Sequence, residues 1–216
     1  GGGRVRGITQ DKRSIWLAID GAGKPTTTSV KAIAQAGTNR ASSTDGNDQP
    51  WLASDGGSLS NAIDTQGDGL SAIWTNNSSP TSASDLTDHL QFEMGGNNFS
   101  IPSTAVPTGI RITFHHTQLF GGTLKWNDVK LLKGGAAVGD DLGLGATFTG
   151  TATSFGGSTV AWGNTLSNDT DNLDLTPSDF NSTEFGVEVQ IEGDTADNTT
   201  PAFDSCDVQV FYTTDG

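Results

Sequence analysis

One cysteine, one methionine and one tyrosine in 216 residues leave little material for several kinds of chemistry. The single thiol, Cys206, excludes an intrachain disulfide and any cysteine-built zinc cage, and it leaves the redox compartment open. No apolar run approaches the roughly 20 residues that a membrane-spanning helix needs. Basic residues are scarce, eleven against 25 acidic ones, for a formal charge of −14. They are also unevenly placed. Residues 1–49 carry seven of them (Arg4, Arg6, Lys12, Arg13, Lys24, Lys31 and Arg40) against four acids, whereas the remainder carries four against 21. A body of that sign repels nucleic acid phosphates and anionic membranes, which leaves proteins, cations or neutral glycans as partners. Enzyme signatures are missing as well. Gly21-Ala22-Gly23 and Gly143-Leu144-Gly145 lack the continuation of a dinucleotide loop, and neither a Walker loop nor a G-x-S-x-G elbow occurs. The expectation is a protein without catalytic activity.

What is present points to strands. The chain has 29 glycines with abundant Ser, Thr, Asn and Asp, a mixture suited to many turns, and five Trp with ten Phe supply a core. Phe185–Ile191 places apolar residues at odd positions, and Asp204–Tyr212 places them at even ones. Such a period of two is the mark of a half-buried strand. Further candidates are 70–75, 88–94, 99–101, 109–117, 124–126, 129–132, 144–149 and 159–162, with Asn127-Asp128 read as a turn between two of them. Roughly eight to ten strands without a long helix make an all-β antiparallel sandwich the expected architecture, over residues 50–216.

Residues 1–49 read as a basic, Gly-rich N-terminal arm and linker. They hold one strand pattern at Ser14–Ile19, a Val30, Ile33, Ala34 spacing that Gly37 ends, and a polar stretch from Thr38 to Gln49. Neither apolar pattern can bury its face alone, so such an arm gains order by adding strand or apolar contacts to a neighbour. Ile15, Trp16, Leu17 and Ile19 are the expected anchors, with Arg4, Arg6, Lys12 and Arg13 as steering charges.

Candidate chemistry is thin. His115 and His116 are adjacent on a strand, face opposite sides and cannot share a metal in the usual way, and His89 has no partner motif. The loop acids Asp140, Asp141, Asp169, Asp171 and Asp174 are of the type that binds Ca²⁺, with Asp169, Asp171 and Asp174 the preferred set; no other cofactor is indicated. Glu188 and Glu192 share the outward parity of one strand and read as exposed. Trp74, Trp126 and Trp162 read as core. Trp51 and Phe211 read as the exposed aromatics, Phe211 because it takes the polar parity beside Asp207 and Gln209, where an exposed ring marks a subunit contact.

The order of several short motifs resembles a β-sandwich domain of tailed-phage and prophage virion structural proteins. The motifs are Ile101-Pro102, Thr108-Gly109-Ile110, Asp128–Gly135, Val138-Gly139-Asp140, Trp162-Gly163, Leu175–Asn181, Phe185-Gly186-Val187 and Asp207–Tyr212. The resemblance spans about residues 50–216 and leaves the arm aside. It implies a jelly-roll-like module in a decoration, fibre or other external component, without catalytic residues. On that reading the chain sits at the virion surface and docks through its arm onto other virion proteins, the major capsid protein among them. Self-association, as a trimer, accompanies such display. The rival reading is a carbohydrate-binding or adhesin module of a host-recognition fibre or a secreted bacterial protein.

Overall fold

Alternating side chains, turn-forming glycines and aromatic mass organise the chain into strands. The computed structural model describes residues 6–10, 13–17, 26–34, 36–40, 50–74, 86–94, 99–119, 123–143, 146–156, 175–193 and 200–214. In chain order the strands are β1 (Arg6–Gln10), β2 (Arg13–Leu17), β3 (Thr26–Ile33), β4 (Ala36–Arg40) and β5 (Trp51–Ala53). After the short helix α1 (Leu59–Ala62) come β6 (Ala72–Trp74), β7 (His89–Glu93), β8 (Val106–Leu119), β9 (Leu124–Lys133), β10 (Ala136–Val138), β11 (Thr147–Phe148) and β12 (Ala152–Gly156). A second short helix, α2 (Pro177–Phe180), precedes β13 (Gly186–Gly193) and β14 (Thr200–Thr214).

Two six-stranded antiparallel sheets pack face to face. Sheet one runs β12-β8-β14-β6-β5, with β3 also on β14; sheet two runs β10-β9-β13-β7-β4, with β11 also on β9. From β7 onward the six principal strands β7, β8, β9, β12, β13 and β14 alternate between sheets two and one along the chain, and β3 and β4 add one strand to each. That is the wound pattern of a jelly-roll-like sandwich. The expected all-β sandwich is therefore observed.

The core explains why the sheets stay together. In β8, Ile110, Ile112, Phe114 and His116 point inward, and in β14 Cys206, Val208, Val210 and Tyr212 do, all buried. Sheet two contributes Leu90, Phe92, Trp126, Val129, Val187, Val189 and Ile191. Their rings interlock: Phe92 meets Phe114 and Phe203 edge to face at 5.4 and 5.7 Å, and Trp126 meets Phe203 edge to face at 5.8 Å and Phe114 in a tilted pair at 5.2 Å. Aromatic pairs in this range add about 0.5–1.5 kcal/mol each beyond the area they bury. Burial also pushes the Cys206 thiol well above its ordinary pKa, so it is a small core side chain, as its parity suggested.

Several local expectations change. Asn127-Asp128 is not a turn: β9 runs through it, and a bulge opposite Gln190/Ile191 absorbs the extra residue. The bulge is held where Asn127 Nδ2 donates to Gln190 Oε1 at 2.7 Å and Gln190 Nε2 donates to the Thr87 carbonyl at 2.8 Å. Gly134-Gly135 does turn the chain, both residues having positive φ (59° and 74°), and joins β9 to β10 as a hairpin. Trp51 is not exposed but fully buried. Its β5 pairs with β6, its ring packs 5.4 Å from Phe203, and its Nε1 donates to the Asp88 carbonyl at 2.7 Å.

The segment expected as an arm divides in two. Residues 26–40 belong to the sandwich: β3 pairs with β14 over eight positions, from Asp207↔Ile33 to Thr214↔Thr26, and β4 pairs with β7 over five. The Val30, Ile33, Ala34 spacing thus lies in and just after a strand, and Gly37 lies inside β4. Gly37 fits there because a Cβ would crowd Ile63 and Leu59 of the α1 region. Earlier in the chain, β1 and β2 form a two-stranded sheet of their own, with Ile8↔Ile15 at its centre.

Candidate functional site

Polar chemistry gathers on the two outer faces of the sandwich. On sheet one, β8 and β14 present Arg111, Thr113, His115, Asp207, Gln209 and Phe211 outward. Asp207 Oδ2 receives His115 Nε2 at 2.9 Å and Lys31 Nζ at 2.6 Å. Gln66 Nε2 lies 3.0 Å from His115 Nδ1, on the other side of the ring from Asp207. Both ring nitrogens of His115 are thereby occupied, and neither is left for activating a nucleophile.

A groove of about 620 Å³ lies beside this pair, lined among others by Gln66, Ser71, His115, His116, Thr151 and Asp204. Its rim loop is held where Gly67 N donates to Asp204 Oδ2 at 2.9 Å. Asp204 is available for this because β14 bulges between Phe203 and Ser205. His116, facing the other way as expected from its neighbour, packs 4.1 Å from Phe148 and bonds Thr153 Oγ1 at 2.8 Å. Burial, helped by His115 next to it, lowers its pKa to about 4. It is neutral at pH 7.

Sheet two carries a denser cluster. His89 on β7, Asp128 on β9 and Glu188 on the central β13 share the outer face. His89 Nε2 lies 3.4 Å from Asp128 Oδ2 and 3.8 Å from Glu188 Oε1. Gln91 Nε2 donates to Glu188 Oε2 at 2.8 Å, and Lys130 Nζ stands 3.2 Å from Asp128 Oδ1. Register makes these meetings inevitable, since Glu188 pairs with Gln91 on one side and Lys130 on the other, and Gln190 pairs with Asp128. Burial acts to raise the Asp128 pKa, but His89 and Lys130 outweigh it and hold the carboxyl below its usual value. Glu188 corrects the sequence reading most sharply, because it is 0% exposed. Its parity assigned it to the outer face correctly, but parity does not reveal that neighbouring side chains seal that face.

A third arrangement joins motifs distant in sequence. Asn181, after α2, accepts from Ile101 N at 3.1 Å and donates to the Ile101 carbonyl at 2.9 Å. Asp179 accepts from Thr176 N and Oγ1 at 2.7 and 2.8 Å and meets Lys133 Nζ at 3.3 Å. Gly135 N donates to the Glu184 carbonyl at 3.0 Å. Short sequence motifs around 101, 133–135 and 176–181 therefore converge on one corner of the fold.

Other expected site residues fare differently. Phe211 is half-buried rather than exposed, with the Arg111 guanidinium 5.8 Å over its ring. Arg6, Arg13, Ile15, Trp16 and Leu17 lie in the β1–β2 hairpin. Arg4, Lys12 and Ile19, together with the calcium set Asp169, Asp171 and Asp174, lie outside the described residues. Asp141 of the same acidic group spends Oδ1 on Val129 N and Gly143 N, at 2.9 and 2.8 Å, and so acts as a loop staple. No protein-family model, curated protein or solved structure matches the chain.

Proposed function

We propose that the chain is a non-enzymatic structural component of a tailed-phage virion, an acidic β-sandwich displayed at the particle surface and attached through its N-terminal segment. The observation that carries this reading is the pairing of the basic segment's strands. The basic segment enters the sandwich as β3 and β4, outer strands of the two sheets, and leaves β1–β2 as a separate two-stranded ribbon. A lone hairpin is marginally stable in water and gains order by joining a neighbour. The partner in this reading is another virion protein, including the major capsid protein, with Ile15, Trp16 and Leu17 as anchors and Arg6 and Arg13 as steering charges.

The polar clusters support a structural role, because their side chains are engaged with one another. His115 is saturated by Gln66 and Asp207, and Glu188 is sealed from solvent. The carbohydrate-binding alternative has less support among the described residues: Trp51, Trp74 and Trp126 are at most 2% exposed and offer no face to a sugar ring. Deleting residues 1–20 tests the reading. The truncated protein is expected to fold with an unchanged melting temperature and to be lost from purified particles. Retention on particles would overturn attachment through the hairpin. A trimer is expected for the full chain in sedimentation, and a monomer at high concentration would remove that part of the proposal.

A further inference from the structure

We propose that His89, Asp128 and Glu188 form a binding site for a divalent transition-metal ion of the zinc class on the outer face of sheet two. One donor atom from each residue lies within 4.8 Å of the other two. The three come from three adjacent strands, β7, β13 and β9, so the sheet ladder itself fixes their spacing.

The distances are also those between ligands that share one ion. His89 Nε2 to Asp128 Oδ2 is 3.4 Å and to Glu188 Oε1 3.8 Å. Both exceed the 2.7–3.2 Å of an N–H···O hydrogen bond. Ligands about 2.0–2.1 Å from a tetrahedral zinc ion stand about 3.3 Å from one another, close to the shorter spacing and within a small side-chain rotation of the longer.

Orientation supports the same conclusion. Each carboxylate commits one oxygen to a supporting group and turns the other toward His89 Nε2. Gln91 holds Glu188 Oε2 at 2.8 Å, which aims Oε1, and Lys130 stands 3.2 Å from Asp128 Oδ1, which aims Oδ2. Outer partners of this kind orient the ligands of metal sites. Burial adds an independent observation: His89 is 8% exposed and Glu188 0%, so an ion held between them is shielded from bulk water.

Charge and donor type select the ion. One imidazole nitrogen with two carboxylate oxygens suits zinc and its neighbours, whereas Ca²⁺ and Mg²⁺ favour oxygen-only sets. A dipositive ion balances the two carboxylates, with a water as fourth ligand.

Titrating the EDTA-treated full chain with Zn²⁺ by calorimetry, and with Co²⁺ by visible absorption, tests the site. The expected result is one equivalent bound per chain, intense tetrahedral Co²⁺ bands, and a higher melting temperature with Zn²⁺ but not with Mg²⁺. His89→Gln and Glu188→Gln are each expected to weaken binding more than tenfold, while His115→Ala leaves it unchanged. If a variant fails to fold, the Co²⁺ spectrum of the wild-type chain still decides. The absence of Zn²⁺ binding at 100-fold excess, an octahedral Co²⁺ spectrum, or a site lost with His115→Ala instead would each overturn the proposal. So would a nitrogen NMR spectrum showing His89 as a protonated imidazolium that Zn²⁺ leaves unchanged.

Discussion

Replacing Asn181 by alanine isolates the contact that ties the α2 corner to the chain before β8. Asn181 makes two bonds to one backbone unit, accepting from Ile101 N at 3.1 Å and donating to its carbonyl at 2.9 Å. Ile101 is 3% exposed, so water replaces these partners poorly. Each bond is worth about 1 kcal/mol net, and leaving the buried groups unpaired adds to the loss, for about 2–3 kcal/mol in all. At about 2–4 °C per kcal/mol for a chain of this size, the melting temperature should fall by about 5–10 °C. Urea unfolding followed by tryptophan fluorescence measures the free energy directly. Asn181→Asp gives a second, independent signature. Its carboxylate still accepts from Ile101 N but sets a negative oxygen against the Ile101 carbonyl, which raises the carboxyl pKa in the folded state. Protonation restores a donor, so the deficit relative to wild type should shrink as pH falls from 7 to 4. A loss under 0.5 kcal/mol for Asn181→Ala, or a pH-independent deficit for Asn181→Asp, would refute the reasoning.

Other expectations follow from the same structure. His116 has its pKa lowered from 6.5 to about 4, chiefly by burial. Because the depressed value favours the neutral ring in the fold, its contribution is complete above pH 6.5 and is lost as pH drops toward 4. A His116→Gln variant should therefore lack up to about 3 kcal/mol of the acid sensitivity that wild type shows in that window, measured as the difference between their unfolding curves. Gly186→Ala should destabilise by more than about 3 kcal/mol or abolish soluble expression, since its Cβ would collide with the Phe92 carbonyl oxygen across the β13–β7 ladder. Removing residues 1–41 should lower the melting temperature sharply, because it strips β3 from β14 and β4 from β7; removing only residues 1–20 should not.

Much of the sandwich was legible because period-two alternation reports which face a residue takes. Phe185–Ile191 and Asp204–Tyr212 emerged as β13 and β14, and the inward set of β8 matched its apolar positions. What alternation does not encode is register and cover. Asn127-Asp128 carries turn chemistry, yet pairing with β13 on one side outweighs it and absorbs the surplus residue as a bulge. Thr26–Arg40 is polar and Thr-rich, and its strands become visible only once β14 and β7 offer unpaired edges. The histidine–carboxylate cluster was hidden for the same reason. His89, Asp128 and Glu188 are far apart in sequence and meet only through the order β9-β13-β7. Glu188 looked exposed because its parity was polar, while its burial depends on side chains from two other strands. Trp51 was misplaced because a residue next to a proline and a polar stretch gives no sign of the Phe203 ring and the Asp88 carbonyl that receive it.

The copy number and location of this chain on purified phage particles test the proposed function most directly. The full chain is expected at a fixed multiple set by particle symmetry, accessible to antibody at the surface, and lost from particles when residues 1–20 are deleted although the sandwich still folds. Absence of the chain from purified particles, or undiminished attachment of the truncated form, would contradict the account.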